Sequence, residues 1–174
     1  QQTVAVVKHA NACGLASHDD QVQAYQSAFE GDSVSAFGGI VAYNRTVTTA
    51  SAEAMGPVFY EVVVAPGYEP KALETLQKKR NLRILEVQPA QGQSPYDLRP
   101  ITGGILVQTP DFIEEDPASW KTATERTPTE GELKDLAFAW KAAKHIKSNA
   151  IVFAKNMTLV GMGAGQPNRV VSVH

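Results

Sequence analysis

Short apolar runs alternate with amphipathic stretches along the first half of the chain. Runs rich in β-branched residues predict buried strands; these are expected at residues 3–9, 37–43, 61–65 and 82–87. Apolar residues at helical spacing predict helices between them; these are expected at residues 19–30, 47–59 and 71–80. This alternation favours an α/β protein with a layered sheet.

The second half begins less regularly. Residues 88–98 are polar and rich in turn formers, which predicts a loop or linker. Residues 101–108 resemble a strand broken by a glycine pair, and an irregular stretch continues to residue 128.

A long helix and a hairpin are predicted to follow. Thr129 and Glu132 form a capping box for a helix that extends to about Ile146. Its predicted apolar stripe contains Leu133, Ala137 and Trp140. Strands at 150–155 and 158–162 are joined by Asn156-Met157, a hairpin-like turn that favours a mixed sheet.

Composition limits the kind of protein. A chain of 174 residues with 43% hydrophobic and 20% charged residues fits one globular domain or two small subdomains, and excludes a disordered tail. No apolar run reaches membrane-spanning length, and a net charge of −2 provides no global basic field for nucleic acid. Cys13 is the single cysteine, so we expect a soluble protein of the cytoplasm.

Lys8 and His9 are the first candidates for chemistry. They follow a predicted buried strand, and loops at strand ends of open α/β sheets often bind ligands. A base that titrates near neutral pH beside a permanent cation suits proton transfer, although a solvent-facing pair is the alternative. Cys13 is either a nucleophile or a small buried thiol. Zinc-deaminase chemistry is excluded because its H-x-E and P-C-x-x-C signatures are missing.

A glycine-rich segment closes the last predicted strand. Its spacing at 161–165 is G-x-G-x-G, which is not the dinucleotide fingerprint. The glycines either let the backbone approach a ligand or form an ordinary tight turn. Other polar or glycine-flanked positions also allow a binding or a structural reading; they are Phe37, Gly38, Glu61, Asn149, Gln166, Asn168 and Arg169.

Six segments occur in an order that closely resembles one family. They are VVKHANACGLA, SVSAFGGIVAYN, FYEVVVAPGYEPKALETLQKKRNLRIL, PITGGILVQ, TERTPTEGELKDLAFAWKAAKHIKSNAIVFAKN and VGMGAGQPNRV. The family is the aminoimidazole carboxamide ribonucleotide (AICAR) transformylase domain of the bifunctional AICAR transformylase/IMP cyclohydrolase. The resemblance extends over residues 4–170.

The resemblance implies a cytidine-deaminase-like α/β fold, a layered mixed sheet with flanking helices and without zinc. It also implies formyl transfer from the co-substrate 10-formyltetrahydrofolate to the 5-amino group of AICAR in purine (IMP) biosynthesis. The implied partners are these small molecules and a second subunit of a homodimer, with no nucleic acid, membrane or catalytic metal.

The resemblance also assigns roles to residues. It implies that His9 is the base, that Lys8 stabilises the oxyanion developing on the formyl oxygen, and that Asn149 orients the reacting groups. The implied substrate-binding residues are Asn11, Phe37, Gly38, Glu61, Gln166, Asn168 and Arg169.

The sequence departs from the family pattern at two positions and in extent. Ala12 replaces a usual proline and Val171 a usual aspartate, and the family's upstream Arg-Tyr-Gly and long C-terminal portion are not in this sequence. We therefore expect a partial domain that is inactive alone. Its expected parts are part of a first α/β subdomain (1–87), a loop-rich connection with one strand (88–128), and a helix plus hairpin (129–174). The alternatives are a non-catalytic nucleotide- or folate-binding module and a remnant without a ligand.

Overall fold

A computed structural model describes residues 1–88 and 94–173. The strands are β1 (Gln2–Lys8), β2 (Asn11–His18), β3 (Gly39–Tyr43), β4 (Tyr60–Ala65), β5 (Arg83–Glu86), β6 (Asp97–Ile101), β7 (Gly104–Gln108), β8 (Ile151–Lys155) and β9 (Thr158–Gly163). The helices are α1 (Gln21–Gly31), α2 (Thr49–Ala54), α3 (Pro70–Gln77), α4 (Glu130–Lys144) and α5 (Arg169–Val173), with a 3₁₀ turn at Pro117–Ser119. The chain divides into two compact units, one of Gln1–Gln88 with Thr127–His174 and one of Pro89–Arg126.

The first unit contains a seven-stranded sheet in the order β5-β4-β3-β1-β2-β9-β8. Strands β3, β4 and β5 are parallel and are connected through α2 and α3. All other neighbouring pairs are antiparallel. The predicted mixed α/β sheet is therefore confirmed.

The core lies between one face of this sheet and helices α1, α2 and α3. Alternate strand residues such as Val4, Val6 and Val41 are fully buried, as the period of two in a strand requires. They belong to one cluster with Met55 of the segment after α2 and Leu76 of α3. Burial of such side chains contributes about 1.5–3 kcal/mol each, so this layer fixes the positions of the strand ends.

Strand β2 was not predicted. It forms a hairpin with β1, in which Val6 pairs with Gly14 and Val7 with Ala12. Cys13 is therefore the extra residue of a β-bulge. The segment is rich in alanine, glycine and serine, and the bulge interrupts its alternation, so neither propensity nor period signalled a strand.

Two other predicted elements have different bounds. The helix expected over 47–59 begins after the Thr48 cap but ends at Ala54, because Gly56 disfavours a helix and Pro57 lacks the N–H needed to continue it. The single strand expected over 101–108 is wrong; a hairpin of β6 and β7 turns at Gly103, whose φ is 85°. Residues 89–93 of the predicted loop lie outside the described residues.

Helix α4 confirms its capping box, in which Thr129 and Glu132 bond reciprocally. Its predicted stripe is partly wrong, since Trp140 is 54% exposed while Phe138 and Ala142 are buried. The hairpin turn after β8 is confirmed, with positive φ at both Asn156 and Met157. None of the described helices has the length and apolarity needed to cross a membrane.

Candidate active site

The strand directions bring the predicted site residues to one edge of the sheet. This edge contains the carboxyl ends of β1 and β9 and the amino ends of β2, β3, β4, β5 and β8. We call it the Lys8 edge. The parallel strands β3–β5 thus present their amino ends, opposite to the usual ligand-binding side of such sheets. Because β1 runs antiparallel to β3, Lys8 lies beside the start of β3.

His9 and Ala10 form the turn between β1 and β2, and Lys8 pairs with Asn11 across it. His9 has a φ of 56°, a left-handed conformation that a residue with a Cβ adopts at a cost of about 1–2 kcal/mol. Glycine usually fills the first position of a two-residue hairpin turn that needs a positive φ there. The exposed imidazole is therefore held at a backbone position that its side chain disfavours.

The Lys8 side chain crosses to the segment that precedes β3. Its Nζ donates a 2.6 Å hydrogen bond to the carbonyl oxygen of Phe37. Gly38 follows with a φ of 66°, and a Cβ built there would lie 3.4 Å from Lys8 Nζ. The bend at Phe37 and Gly38 therefore gives the ammonium both a hydrogen-bond acceptor and the space it occupies.

Phe59, which no sequence signal singled out, supports this bend. The Gly38 N–H donates to the Phe59 carbonyl at 2.9 Å, and the Phe37 and Phe59 rings have centroids 5.4 Å apart. The rings are 64% and 40% exposed, respectively. An aromatic surface therefore lies beside the Lys8 ammonium.

Glu61 lies at the start of β4, on the same edge. Gly39 pairs with Tyr60 and Ile40 with Val62, so Glu61 occupies a bulge in the parallel pairing. Its carboxylate lies 3.8 Å from the guanidinium of Arg83, and both side chains are largely exposed. This surface ion pair stabilises the fold by at most about 1 kcal/mol.

Asn149 connects the start of β8 with the loop that follows β9. Its side-chain amide donates to the carbonyls of Gln166 and Pro167 at 3.1 and 3.3 Å. Its own carbonyl accepts from Ser172 Oγ at 3.0 Å. The amide nitrogen of Asn149 thus orders this loop, which carries Gln166, Asn168 and Arg169.

The residues of this loop differ in their contacts. The side-chain oxygen of Asn168 accepts the Val171 N–H at 3.0 Å and so caps the short helix α5. Gln166 bonds Asn149 through its backbone, and Arg169 is exposed at the start of α5. No hydrogen bond or ion pair of the described residues joins this loop to Lys8 or His9. The structure therefore places two groups along one edge without a direct contact.

Asn11 lies between these groups at the start of β2. Its side-chain oxygen is enclosed and has no hydrogen-bond partner within the described structure. A buried acceptor without a donor costs about 1–3 kcal/mol, and the chain's own atoms enclose this oxygen, so it is not an open acceptor at the Lys8 edge.

Cys13 has the environment of a structural thiol. Its Sγ donates to the Val6 carbonyl at 3.4 Å, beside a cavity of about 110 Å³ that Asp32 and Gly161 also line. Burial raises the pKa of Cys13, and the Asp32 carboxylate raises it further, so the thiol stays protonated. Within residues 1–88 and 94–173, no cluster of three or more His, Cys, Asp or Glu side chains could hold a metal ion.

The fold and this edge define an α/β domain with a basic, aromatic and amide-lined candidate active site. The whole chain, residues 1–174, matches the family model of the AICARFT/IMPCHase bienzyme. The chain therefore belongs to the AICARFT/IMPCHase family.

Three similar proteins are bifunctional purine biosynthesis proteins. The chain is similar to the bifunctional purine biosynthesis protein purH of Dictyostelium discoideum, with 49% identity over 97% of this chain and 33% of the relative. It is similar to PurH of Thermoanaerobacter sp. (strain X514), with 48% identity over 98% and 33%. It is also similar to PurH of Trichodesmium erythraeum (strain IMS101), with 50% identity over 98% and 33%. The chain spans about a third of the length of these relatives.

Proposed function

We propose that this chain is part of an AICAR transformylase domain and contributes its Lys8 edge to formyl transfer. The reaction joins the formyl carbon of 10-formyltetrahydrofolate to the 5-amino nitrogen of AICAR and releases tetrahydrofolate. The observation that carries the proposal is the gathering of Lys8, His9 and Asn149 at one sheet edge in a member of this family. The finer fold assignment, cytidine-deaminase-like without zinc, is part of the proposal.

His9 acts as the base in this proposal. The amino lone pair of AICAR is delocalised into its imidazole and carboxamide, so a proton must leave as the nitrogen attacks. An exposed imidazole at the tip of a hairpin can reach such a proton, and general-base catalysis typically contributes about 10²–10⁴-fold.

Lys8 stabilises the negative charge that develops on the formyl oxygen. One fixed donor in this role contributes about 3–4 kcal/mol. The hydrogen bond to Phe37 uses one of the three ammonium protons, so two remain for substrate. Asn149 offers its side-chain oxygen to the reacting groups, since its amide hydrogens bond the loop at Gln166 and Pro167.

The remaining edge residues bind the two substrates. The half-buried Asn11 contributes to the substrate site in this proposal, and Arg169 binds an anionic group as a fork-shaped donor. The exposed Phe37 ring, Gly38 and Glu61 line the same surface, as do Gln166 and Asn168. We further propose that the domain acts in the cytoplasm as part of a homodimer.

A formyl-transfer assay on the 174-residue chain tests the proposal. Tetrahydrofolate formation that requires both AICAR and 10-formyltetrahydrofolate supports it. His9→Ala should then lower turnover by about 10²–10⁴-fold with AICAR affinity retained. Because a partial domain is expected to be inactive alone, saturable binding of AICAR without turnover moves the His9→Ala comparison to a full-length relative that carries this segment. Unchanged turnover there would assign the segment to the alternative, a ligand-binding module. Near-normal turnover in His9→Ala removes His9 as the base.

A further inference from the structure

We propose that Phe59 is a positioning residue for Lys8. The carbonyl and the ring of Phe59 hold the bend at Phe37 and Gly38, and the Phe37 carbonyl in that bend binds the Lys8 ammonium. The proposal deepens the proposed function, on which its catalytic meaning rests. The positions involved are distant in sequence and meet at the Lys8 edge. Phe59 itself does not bond Lys8; it acts through the bend.

The first step is the hydrogen bond at Gly38. The Gly38 N–H donates to the Phe59 carbonyl at 2.9 Å, and the next pairing of β3 with β4 is Gly39 with Tyr60. The bend is therefore joined to the beginning of β4. This fixes the plane of the peptide between Phe37 and Gly38, whose carbonyl is the acceptor for Lys8.

The second step is ring packing. The Phe37 and Phe59 rings are tilted by 46° with centroids 5.4 Å apart, a favourable aromatic geometry. Phe59 ring carbons also lie 3.8 and 3.9 Å from the position of a Cβ at Gly38, so the ring covers the open side of the glycine. Loss of the ring would leave Phe37 without this neighbour, and the backbone hydrogen bond from Gly38 to Phe59 alone would then hold the bend.

The third step explains why Phe59 is itself fixed. Lys79, two residues after α3, donates to the carbonyls of Met55 and Val58 at 2.9 and 2.6 Å. Val58 immediately precedes Phe59, so the segment that carries the ring is tied to α3. A continuous series of contacts therefore runs from α3 through Phe59 and the bend to the Lys8 ammonium.

The experiment compares Phe59→Ala with Phe59→Tyr, which keeps the ring. Phe153→Ala is the matched control. Phe153 is 49% exposed and lies on β8, the outermost strand, which is separated from β1 by β2 and β9. The protein is labelled with ¹³C at the lysine Cε atoms, which leaves every ammonium group intact, and the Lys8 signal is assigned by its loss in Lys8→Arg. Amide exchange at Gly38 is followed in the same variants.

We expect the Lys8 signal to shift in Phe59→Ala and the Gly38 amide to exchange about tenfold faster. Phe59→Tyr and Phe153→Ala should leave both unchanged. Where formyl transfer is measurable, Phe59→Ala should lower kcat about tenfold while the KM for AICAR stays within about twofold. A structural role alone would not separate kcat from KM in this way.

An unchanged Lys8 signal in folded Phe59→Ala overturns the proposal, as does an equal shift in Phe153→Ala. If circular dichroism shows that Phe59→Ala does not fold, Phe59→Leu, which lacks the ring but keeps an apolar side chain, replaces it in the same comparison. Failure of the unmodified chain to bind AICAR would count against the proposed function. The positioning role of Phe59 would still be decided by the Lys8 signal and the Gly38 amide exchange, because neither measurement needs AICAR.

Discussion

The ammonium of Lys8 donates a 2.6 Å hydrogen bond to the carbonyl oxygen of Phe37, 29 positions later in the chain. The bond joins the end of β1 to the bend before β3, which are adjacent because these strands are antiparallel. A charged donor gives a bond stronger than a neutral pair, so Lys8 has a defined position before any ligand binds. This preorganisation is what a residue that stabilises developing charge requires.

His9→Gly should destabilise the fold less than His9→Ala, although both variants lack the imidazole. Glycine adopts the φ of 56° found at His9 at no steric cost, whereas the Cβ of alanine makes this φ unfavourable. We expect His9→Gly to be about 0.5–1 kcal/mol more stable than His9→Ala in urea unfolding. Equal stability of the two variants would mean that the turn relaxes and that His9 carries no backbone strain.

Gly38→Ala should disturb both the fold and Lys8. The φ of 66° is unfavourable for alanine, and the new Cβ would lie 3.4 Å from Lys8 Nζ. We expect a loss of about 1–2 kcal/mol in the free energy of unfolding. Gly131→Ala in α4 is the control, because a Cβ there meets no atom within 4 Å beyond its chain neighbours and the backbone of its own helix, and alanine favours helices. If Gly38→Ala were as stable as Gly131→Ala, the positive φ at Gly38 and the close approach of Lys8 Nζ would be contradicted.

Lys79→Met should destabilise the segment before β4. The Lys79 ammonium donates to Met55 and Val58, and methionine leaves both carbonyls without this donor. We expect a loss of about 1–3 kcal/mol in thermal or urea unfolding, partly restored in Lys79→Arg. Lys78→Met, at an exposed neighbouring position, should change stability by less than about 0.5 kcal/mol. Equal effects at both positions would remove the specific role of Lys79.

Much of the fold follows from local sequence signals, and the exceptions have physical causes. The capping box at Thr129 and the Asn156-Met157 turn act over a few residues, so the sequence predicts them. The bulge at Cys13 interrupts the alternation of β2, so the sequence does not predict that strand. The turn at Gly103 divides the single strand expected over 101–108 into a hairpin of β6 and β7.

Some residues of the candidate site can also be found from the local sequence, and others cannot. Lys8 and His9 are visible as residue types at the end of an apolar run. The contributions of Phe59 and Lys79 arise from contacts with residues 21 or more positions away, which no local pattern contains. The edge itself depends on strand order, which the sequence of elements did not determine.

Alkaline pH should unfold the protein through its buried tyrosines. Burial raises the pKa values of Tyr25, Tyr43 and Tyr60 above the ordinary value, and raises the pKa of Tyr68 to about 12. Between the unfolded value of about 10 and these folded values, the native state binds more protons than the unfolded state. Stability should therefore be complete below about pH 10 and fall as pH rises further.

Absorbance at 295 nm and urea unfolding across this range measure the effect. Tyr68→Phe should show a shallower alkaline fall, because the phenol that donates to Val63 and Leu85 is gone. Stability that stays constant through the titration would show that these phenols ionise equally in both states.

Calorimetric titration of AICAR into the 174-residue chain tests the central claim, that the Lys8 edge is a substrate site, most directly. The comparison uses Arg169→Ala at this edge and Arg45→Ala, whose exposed arginine follows β3 at the opposite edge. We predict saturable binding that Arg169→Ala weakens at least about tenfold and Arg45→Ala leaves unchanged. Absence of binding by the folded chain, or equal binding by both variants, would contradict the assignment of this edge as the substrate site.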